Sequence, residues 1–238
     1  MKEKDKMVSY FENIPQPIST DDVYKSIKKR ILKLDLEPGQ KVSENQMCQE
    51  YNVSRSVIRT VFTRLNQLKL VEVYPQRGTY VSLIDLDHIE SLLMLRTAVE
   101  KEVLYEMFCK LGKADRMALV ERLEENLNRQ KKYDNYKNYE IEFQNLDSEF
   151  HKILLDSVKR YKLLELLNDQ MVHIARWRNF NVAAEDRMHE LIEEHRNIIE
   201  SIRNDDLIAA QENIAKHLNT ISRSNDKVKL QYPQYFIK

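Results

Sequence analysis

The stretch from Val42 to Val81, VSENQMCQEYNVSRSVIRTVFTRLNQLKLVEVYPQRGTYV, restricts the fold more than any other part of the chain, because its hydrophobic spacing passes from helical to alternating. Ser43 is an N-cap for SENQMCQEY, with Gln46 placed to complete a capping box and Met47 as an apolar anchor. Asn52-Val53 supplies a turn, and Ser54 caps SRSVIRTVFTRLNQLKL, where Val57, Ile58, Val61, Leu65 and Leu68 share a face directed at a core. Arg55, Ser56, Arg59 and Thr60 then fall toward solvent. LVEVYPQRGTYVSL alternates apolar and polar residues around Pro75-Gln76-Arg77-Gly78, the pattern of a β-hairpin with a tight turn. Upstream, Ser19, Thr20 and Asp21 are cap candidates for a helix running to about Leu34, with Val23, Ile27, Ile31 and Leu34 at helical spacing. Pro38-Gly39 breaks the chain after it. Three helices and a hairpin predict a winged helix-turn-helix over residues 19–82, preceded by a flexible polar arm over 1–18.

The residue types suit double-stranded operator DNA. Arginine makes paired hydrogen bonds to guanine edges in the major groove, and short hydroxyls at a helix start bond phosphates together with free backbone amides. Ser54, Arg55, Ser56 and Arg59 are therefore the candidate reading surface, and Arg77 beside Gly78 the candidate wing tip. The competing interpretation is an ordinary solvated face. A division of charge favours DNA: residues 19–82 hold 11 Lys and Arg against 7 Asp and Glu, whereas 83–238 hold 24 against 28, so a net charge of zero hides a basic front and an acidic back.

With only 3 glycines and 5 prolines in 238 residues and 32% charged residues, the rest of the chain suits helices. About six amphipathic helices are predicted, at roughly 86–110, 114–132, 137–157, 160–179, 184–203 and 206–223, making a helical bundle over 83–223 with a tail over 224–238. Cys48 and Cys109 have no CxxC partner, and no signal-peptide core or bilayer-spanning apolar run is present, so a reducing cytoplasm is the expected location.

Inside the predicted bundle, Asp147 and His151 in NLDSEFHKIL are four residues apart and project from one helix face. His195 in EEHRNII and His217 in AKHLNTI lie on two later helices beside apolar residues. Three imidazoles and a carboxylate suit a divalent transition ion such as zinc, nickel or manganese. Spacing alone leaves open a surface interaction or a satisfied core group.

Val53-Ser54-Arg55, Arg59, Arg64-Leu65 and Arg77-Gly78 with Val81 resemble the DNA-binding domain of GntR-type bacterial transcription regulators over about 65 residues. Asn45 stands where many members are basic, Val57 where Pro or Thr is common, and Lys69 where Gly usually precedes the wing. The order D-x-x-x-H, E-H-x-x-I, D-x(10)-H resembles the C-terminal ligand-binding domain of the FCD group in that family. That resemblance implies an antiparallel α-helical bundle, a metal held by Asp147, His151, His195 and His217, a last helix capped by Asp206, and a small carboxylate effector bound beside the ion. Arg96, in the family's R-x-x-x-E pattern with Glu100, is then the candidate effector-binding cation; its alternative is an intrahelical ion pair. Lys159-Arg160-Tyr161 departs from the family's usual Gly-Asn-Pro, and Asp205 from a common Gly.

Arg176, Trp177, Arg178 and Phe180 either line the cavity or close the core, the core being preferred; His173 and His189 are read as structural or exposed, and QYPQYFIK as docked on a partner subunit or disordered. The functional expectation is a non-enzymatic, ligand-responsive repressor acting as a homodimer on a near-palindromic operator. The alternatives are a metal-dependent hydrolase, for which no separate general base or phosphate loop is found, and a regulator that senses the metal itself.

Overall fold

The computed structural model describes residues 18–136, 141–185, 187–220 and 225–237, so nearly all of the expected N-terminal arm lies outside the described residues. Helix α1 (Thr20–Leu32) starts at a full capping box: Ser19 Oγ accepts from Asp22 N while the Asp22 side chain accepts from Ser19 N. It buries Val23, Ile27 and Ile31 and ends two residues short of the expected Leu34, which adopts a left-handed φ of 63°. A short strand β1 (Lys41–Val42), not anticipated from the sequence, precedes α2 (Glu44–Tyr51). The box expected at Ser43 is only half formed, since Ser43 Oγ accepts from Gln46 N and no return bond is made.

Helix α3 (Arg55–Gln67) buries Ile58, Val61, Phe62 and Leu65. Ser54 holds the extended cap conformation, but its hydroxyl makes no cap bond; it meets Ser56 Oγ at 2.7 Å. Lys69, at φ 54°, stops the helix before the predicted Leu70: Leu70 N bonds Leu65 O and Lys69 N bonds Asn66 O, a left-handed C-cap normally made by glycine. Strands β2 (Val71–Tyr74) and β3 (Gly78–Val81) pair antiparallel, and β1 adds to β3, giving the order β1-β3-β2. Tyr74 pairs with Gly78, so three residues turn the hairpin, with Arg77 N bonded to Tyr74 O. Proline at the first corner and Gln76 at φ 62° at the second have the form of a type II turn.

The bundle consists of α4 (Leu86–Lys110), α5 (Lys113–Gln130), α6 (Ile141–Ser157), α7 (Lys162–Glu185), α8 (Met188–Arg203) and α9 (Leu207–Asn219), followed by α10 (Asn225–Gln231). The predicted starts at 137 and ends at 223 fall on residues outside the described ones. Asp206 caps α9 as expected, its carboxylate accepting from Ala209 N. Lys159 (φ 61°) and Asp205 (φ 59°) end α6 and α8 with the same left-handed cap as Lys69. The fold is mostly helical with one small antiparallel sheet, as read from the sequence.

Among the described residues three hydrophobic cores result: one within the bundle, one within the winged domain, and one between them. Helix α7 reaches all the way to the winged domain. Val172 enters that domain's core, His173 Nε2 bonds Leu68 O at 3.0 Å, Arg176 donates to Ser82 O at 2.8 Å, and Asn179 Nδ2 donates to Leu32 O at 2.9 Å. Arg176 and Arg178 are thus polar connectors rather than core closure, while Trp177 and Phe180 do pack in the core between the domains. The tail docks on its own chain: Ile84 N bonds Tyr235 O at 2.8 Å, Ile237 N bonds Ile84 O at 3.0 Å, and Phe236 packs 5.9 Å from the Trp177 ring.

Candidate DNA-reading face and buried histidine cluster

Ser54, Arg55, Ser56 and Arg59 lie on the exposed opening of α3, and Arg77 on the exposed hairpin tip. Arg59 Nε rests 3.1 Å from Glu44 of α2, an exposed pair of the kind that contributes little to stability and opens readily to another anion. Thr60 and Thr63 spend their hydroxyls on Ser56 O and Arg59 O. Arg64 ties α3 to α1 instead, meeting Asp21 at 3.1 Å and covering the Tyr24 ring at 3.7 Å. Gly78 has φ 113° and a Cβ there would come within 2.9 Å of Lys41 Cε, so the hairpin tip needs glycine's backbone freedom.

The other candidate residues converge inside the bundle. Asp147 and His151 on α6, His195 on α8 and His217 on α9 each offer an atom within 4.8 Å of the others, and all four are buried. His217 Nε2 lies 3.2 Å from both His151 Nε2 and His195 Nε2, while Asp147 Oδ1 is 3.6 Å from His195 Nε2 and 3.9 Å from His217 Nε2.

Each imidazole is oriented from behind. His151 Nδ1 meets Glu100 Oε2 at 2.6 Å, His195 Nδ1 meets Gln130 Oε1 at 2.7 Å, and His217 Nδ1 meets Glu194 Oε2 at 3.1 Å. These oxygens accept, so each Nδ1 carries the hydrogen and each Nε2 presents a lone pair to the centre. Burial holds His151 and His195 well below the usual imidazole range, and burial followed by the Arg178 guanidinium brings His217 to about 3. Burial alone would raise the Asp147 carboxyl, but Arg178, 2.5 Å from Oδ2, together with the imidazoles holds it well below the carboxylate range.

Three lone pairs therefore face one another at distances where two acceptors cannot bond, and buried Asp147 Oδ1 has no hydrogen-bond partner. A tetrahedral ion with ligand bonds of about 2.1 Å sets its donor atoms roughly 3.4 Å apart, close to the separations seen, and the donor set of three imidazoles and one carboxylate is that of a borderline divalent metal. The residues fit a metal ion.

Arg96 is buried and its Nε bonds Glu100 Oε1 at 2.6 Å, so the intrahelical pair does form, with Glu100 bridging Arg96 to His151. Sequence reasoning missed Gln130 altogether, gave no role toward the cluster to Glu194, and offered Arg178 only as a cavity-lining alternative to core closure. Glu194 adjoins His195 yet serves His217, because consecutive residues diverge around a helix. Among the remaining histidines, His173 is structural and His189 is exposed, paired with Asp134 at 2.8 Å.

Residues 19–81 match the family of bacterial regulatory proteins called gntR, and residues 91–220 match the FCD domain. The chain is 27% identical over 216 residues to an HTH-type transcriptional regulator from an unstable DNA locus of Streptomyces ambofaciens, covering 90% of this chain and 88% of the other. It is 25% identical over 231 residues to the HTH-type transcriptional repressor RspR of Escherichia coli, covering 94% and 96%. Among solved structures, E. coli McbR/YncC has the same fold, with a TM-score of 0.64 at 16% identity over 90% of this chain and 98% of that one. These relatives are regulators and not enzymes, and no described helix is long and apolar enough to cross a membrane. The chain belongs to the GntR family of bacterial regulatory proteins, as a DNA-binding transcription regulator whose second part is an FCD domain.

Proposed function

We propose that this regulator is a repressor that binds a near-palindromic operator as a homodimer in the cytoplasm, and that a divalent transition ion held by Asp147, His151, His195 and His217 organises its effector site. The observation that carries the metal assignment is the convergence of three Nε2 lone pairs on an unpartnered carboxylate oxygen. Zinc, nickel and manganese all suit the donors. A small carboxylate would take a coordination position at the ion and draw on Arg96, which stands two hydrogen bonds behind His151, through Glu100. The division of labour is a winged domain over 19–82 and a regulatory bundle over 83–223.

DNA reading falls to Ser54, Arg55, Ser56 and Arg59, with Arg77 and Gly78 at the wing. A single α3 reads few bases, so two copies related by a two-fold axis supply useful specificity. The sign of regulation rests on the E. coli relative named a repressor, 25% identical along nearly the whole chain. An effector would shift operator affinity by its difference in affinity between the two arrangements of the winged domains.

The test is a gel shift at fixed salt on the DNA flanking the coding gene, with metal content measured in parallel. Arg55→Ala and Arg59→Ala each lower operator affinity by about 1–3 kcal/mol without changing the melting temperature. Unchanged binding in both sinks the assignment of the reading face. A bound metal that survives alanine at two of the four cluster residues sinks the assignment of the metal site.

A further inference from the structure

Helix α5 supplies none of the four converging side chains, yet it contacts both α6 and α8, which carry three of them. Two of its polar residues are buried at the centre of the bundle, Asn126 and Gln130, one helical turn apart with 1% and 0% exposure. Asn126 Nδ2 lies 3.1 Å from the Leu146 carbonyl, Gln130 Nε2 lies 2.6 Å from Asn126 Oδ1, and Gln130 Oε1 lies 2.7 Å from His195 Nδ1.

The direction of this chain follows from its first member. A backbone carbonyl only accepts, so Asn126 must turn its NH2 to Leu146 and its oxygen to Gln130. Gln130 must then turn its own NH2 to Asn126 and its oxygen to His195. An oxygen at that place requires hydrogen on Nδ1, which leaves Nε2 as a lone pair. His151 and His217 need no such device, because a carboxylate has two acceptor oxygens and cannot present a donor when ionised; Glu100 and Glu194 serve them in either orientation.

We infer that Asn126 and Gln130 are positioning residues for the metal centre: the Leu146 carbonyl, read through two amides, selects the tautomer in which His195 can bind the ion. The inference rests on the metal assignment above and adds the reason one imidazole of three can be backed by a neutral group. The same relay joins the two walls of the centre, since Leu146 is the residue before Asp147. Removing Asn126 frees the Gln130 amide to turn over, which offers His195 a donor and moves its hydrogen to Nε2, where it blocks coordination. Replacing Gln130 by glutamate makes the orientation immaterial.

The test uses the full chain, with Zn²⁺ as the probe in competition with a chelator of known affinity. Asn126→Ala is expected to bind Zn²⁺ 10- to 100-fold more weakly, in the range of outer hydrogen-bond partners of metal-bound histidines. Asn126→Ala/Gln130→Glu is expected to return to within about threefold of the unmutated protein, a rescue that a packing role for Asn126 would not produce. Gln130→Leu, which takes away the acceptor behind His195 Nδ1, should also bind 10- to 100-fold more weakly, and it keeps the test alive if Asn126→Ala does not fold. In metal-free protein, ¹⁵N shifts of His195 should report hydrogen on Nδ1, and a mixture of tautomers in Asn126→Ala. Unweakened binding by Asn126→Ala, no rescue in the double variant, or unweakened binding by Gln130→Leu overturns the relay. Failure of the unmutated protein to bind Zn²⁺ while it still binds DNA would instead overturn the metal assignment, and the relay with it.

Discussion

Metal-free protein should lose stability steeply on mild acidification. An imidazole whose folded pKa lies below its unfolded value holds fewer protons folded than unfolded, so its contribution is intact above the unfolded value of 6.5 and is lost as pH falls toward the folded one. For His217 the window runs from 6.5 to about 3, and His151 and His195 are shifted in the same direction by the same burial. One pH unit below 6.5, each buried neutral imidazole costs about 1.4 kcal/mol, so the three together cost about 4 kcal/mol. Glu194 works against them, since burial raises its pKa and its contribution is greatest at low pH. At roughly 2–4 °C per kcal/mol for a chain of this size, chelator-treated protein should melt about 8–16 °C lower at pH 5.5 than at pH 7.5. Differential scanning calorimetry gives this directly, and His217→Gln, which removes one imidazole and keeps a polar side chain, should shrink the drop by roughly 3–6 °C. His173, brought by burial and then by His88 to about 4, contributes equally to both proteins and cancels in the comparison. Equal melting at both pH values, or an undiminished drop in His217→Gln, would refute the reasoning.

Other tests are shorter. Lys159→Gly and Lys69→Gly relieve left-handed lysines at a cost of about 1 kcal/mol each, partly offset by glycine's freedom in the unfolded chain, and should each raise the melting temperature by roughly 1–3 °C. Asp205→Gly should gain less, because it also removes the Arg116 bond; a lower melting temperature in both lysine variants would contradict the cap assignment. Phe236→Ala should shift the emission of Trp177, the sole tryptophan, to the red and cost about 3–5 kcal/mol. Restoring Zn²⁺ to chelated protein at a hundredfold excess over its dissociation constant should stabilise it by about 2.7 kcal/mol, or roughly 5–10 °C, and a flat response would argue against the metal site.

What the sequence made legible was whatever is written at short range. Helical spacing placed Ile58, Val61 and Leu65 inward and Arg55 and Arg59 outward, and a one-turn interval put Asp147 and His151 on one face. Apolar neighbours turned His195 and His217 inward, and the family resemblance then joined them to that pair as one ligand set. Side chains that meet across helices left no such trace: Gln130 reaches His195 over 65 positions and Arg178 reaches Asp147 over 31. The left-handed residues are half visible, because Lys69, Lys159 and Asp205 each stand where the family usually has glycine, while lysine and aspartate themselves carry no local signal of a positive φ. The docking of the tail was open in the sequence because its partners Ile84 and Trp177 lie far upstream.

Arg178 and Asn179 are adjacent in the chain and point about 100° apart around α7, one holding Asp147 and the other holding the end of α1 at Leu32. A mutation in this short segment therefore has no way to be specific in its phenotype. A genetic screen for loss of DNA binding would return substitutions at 176–179 beside those in α3, although the former touch no base. Suppressors of such mutants should map to the Leu32 and Ser82 neighbourhoods as readily as to the histidine cluster, because the two domains share the same few residues of one helix.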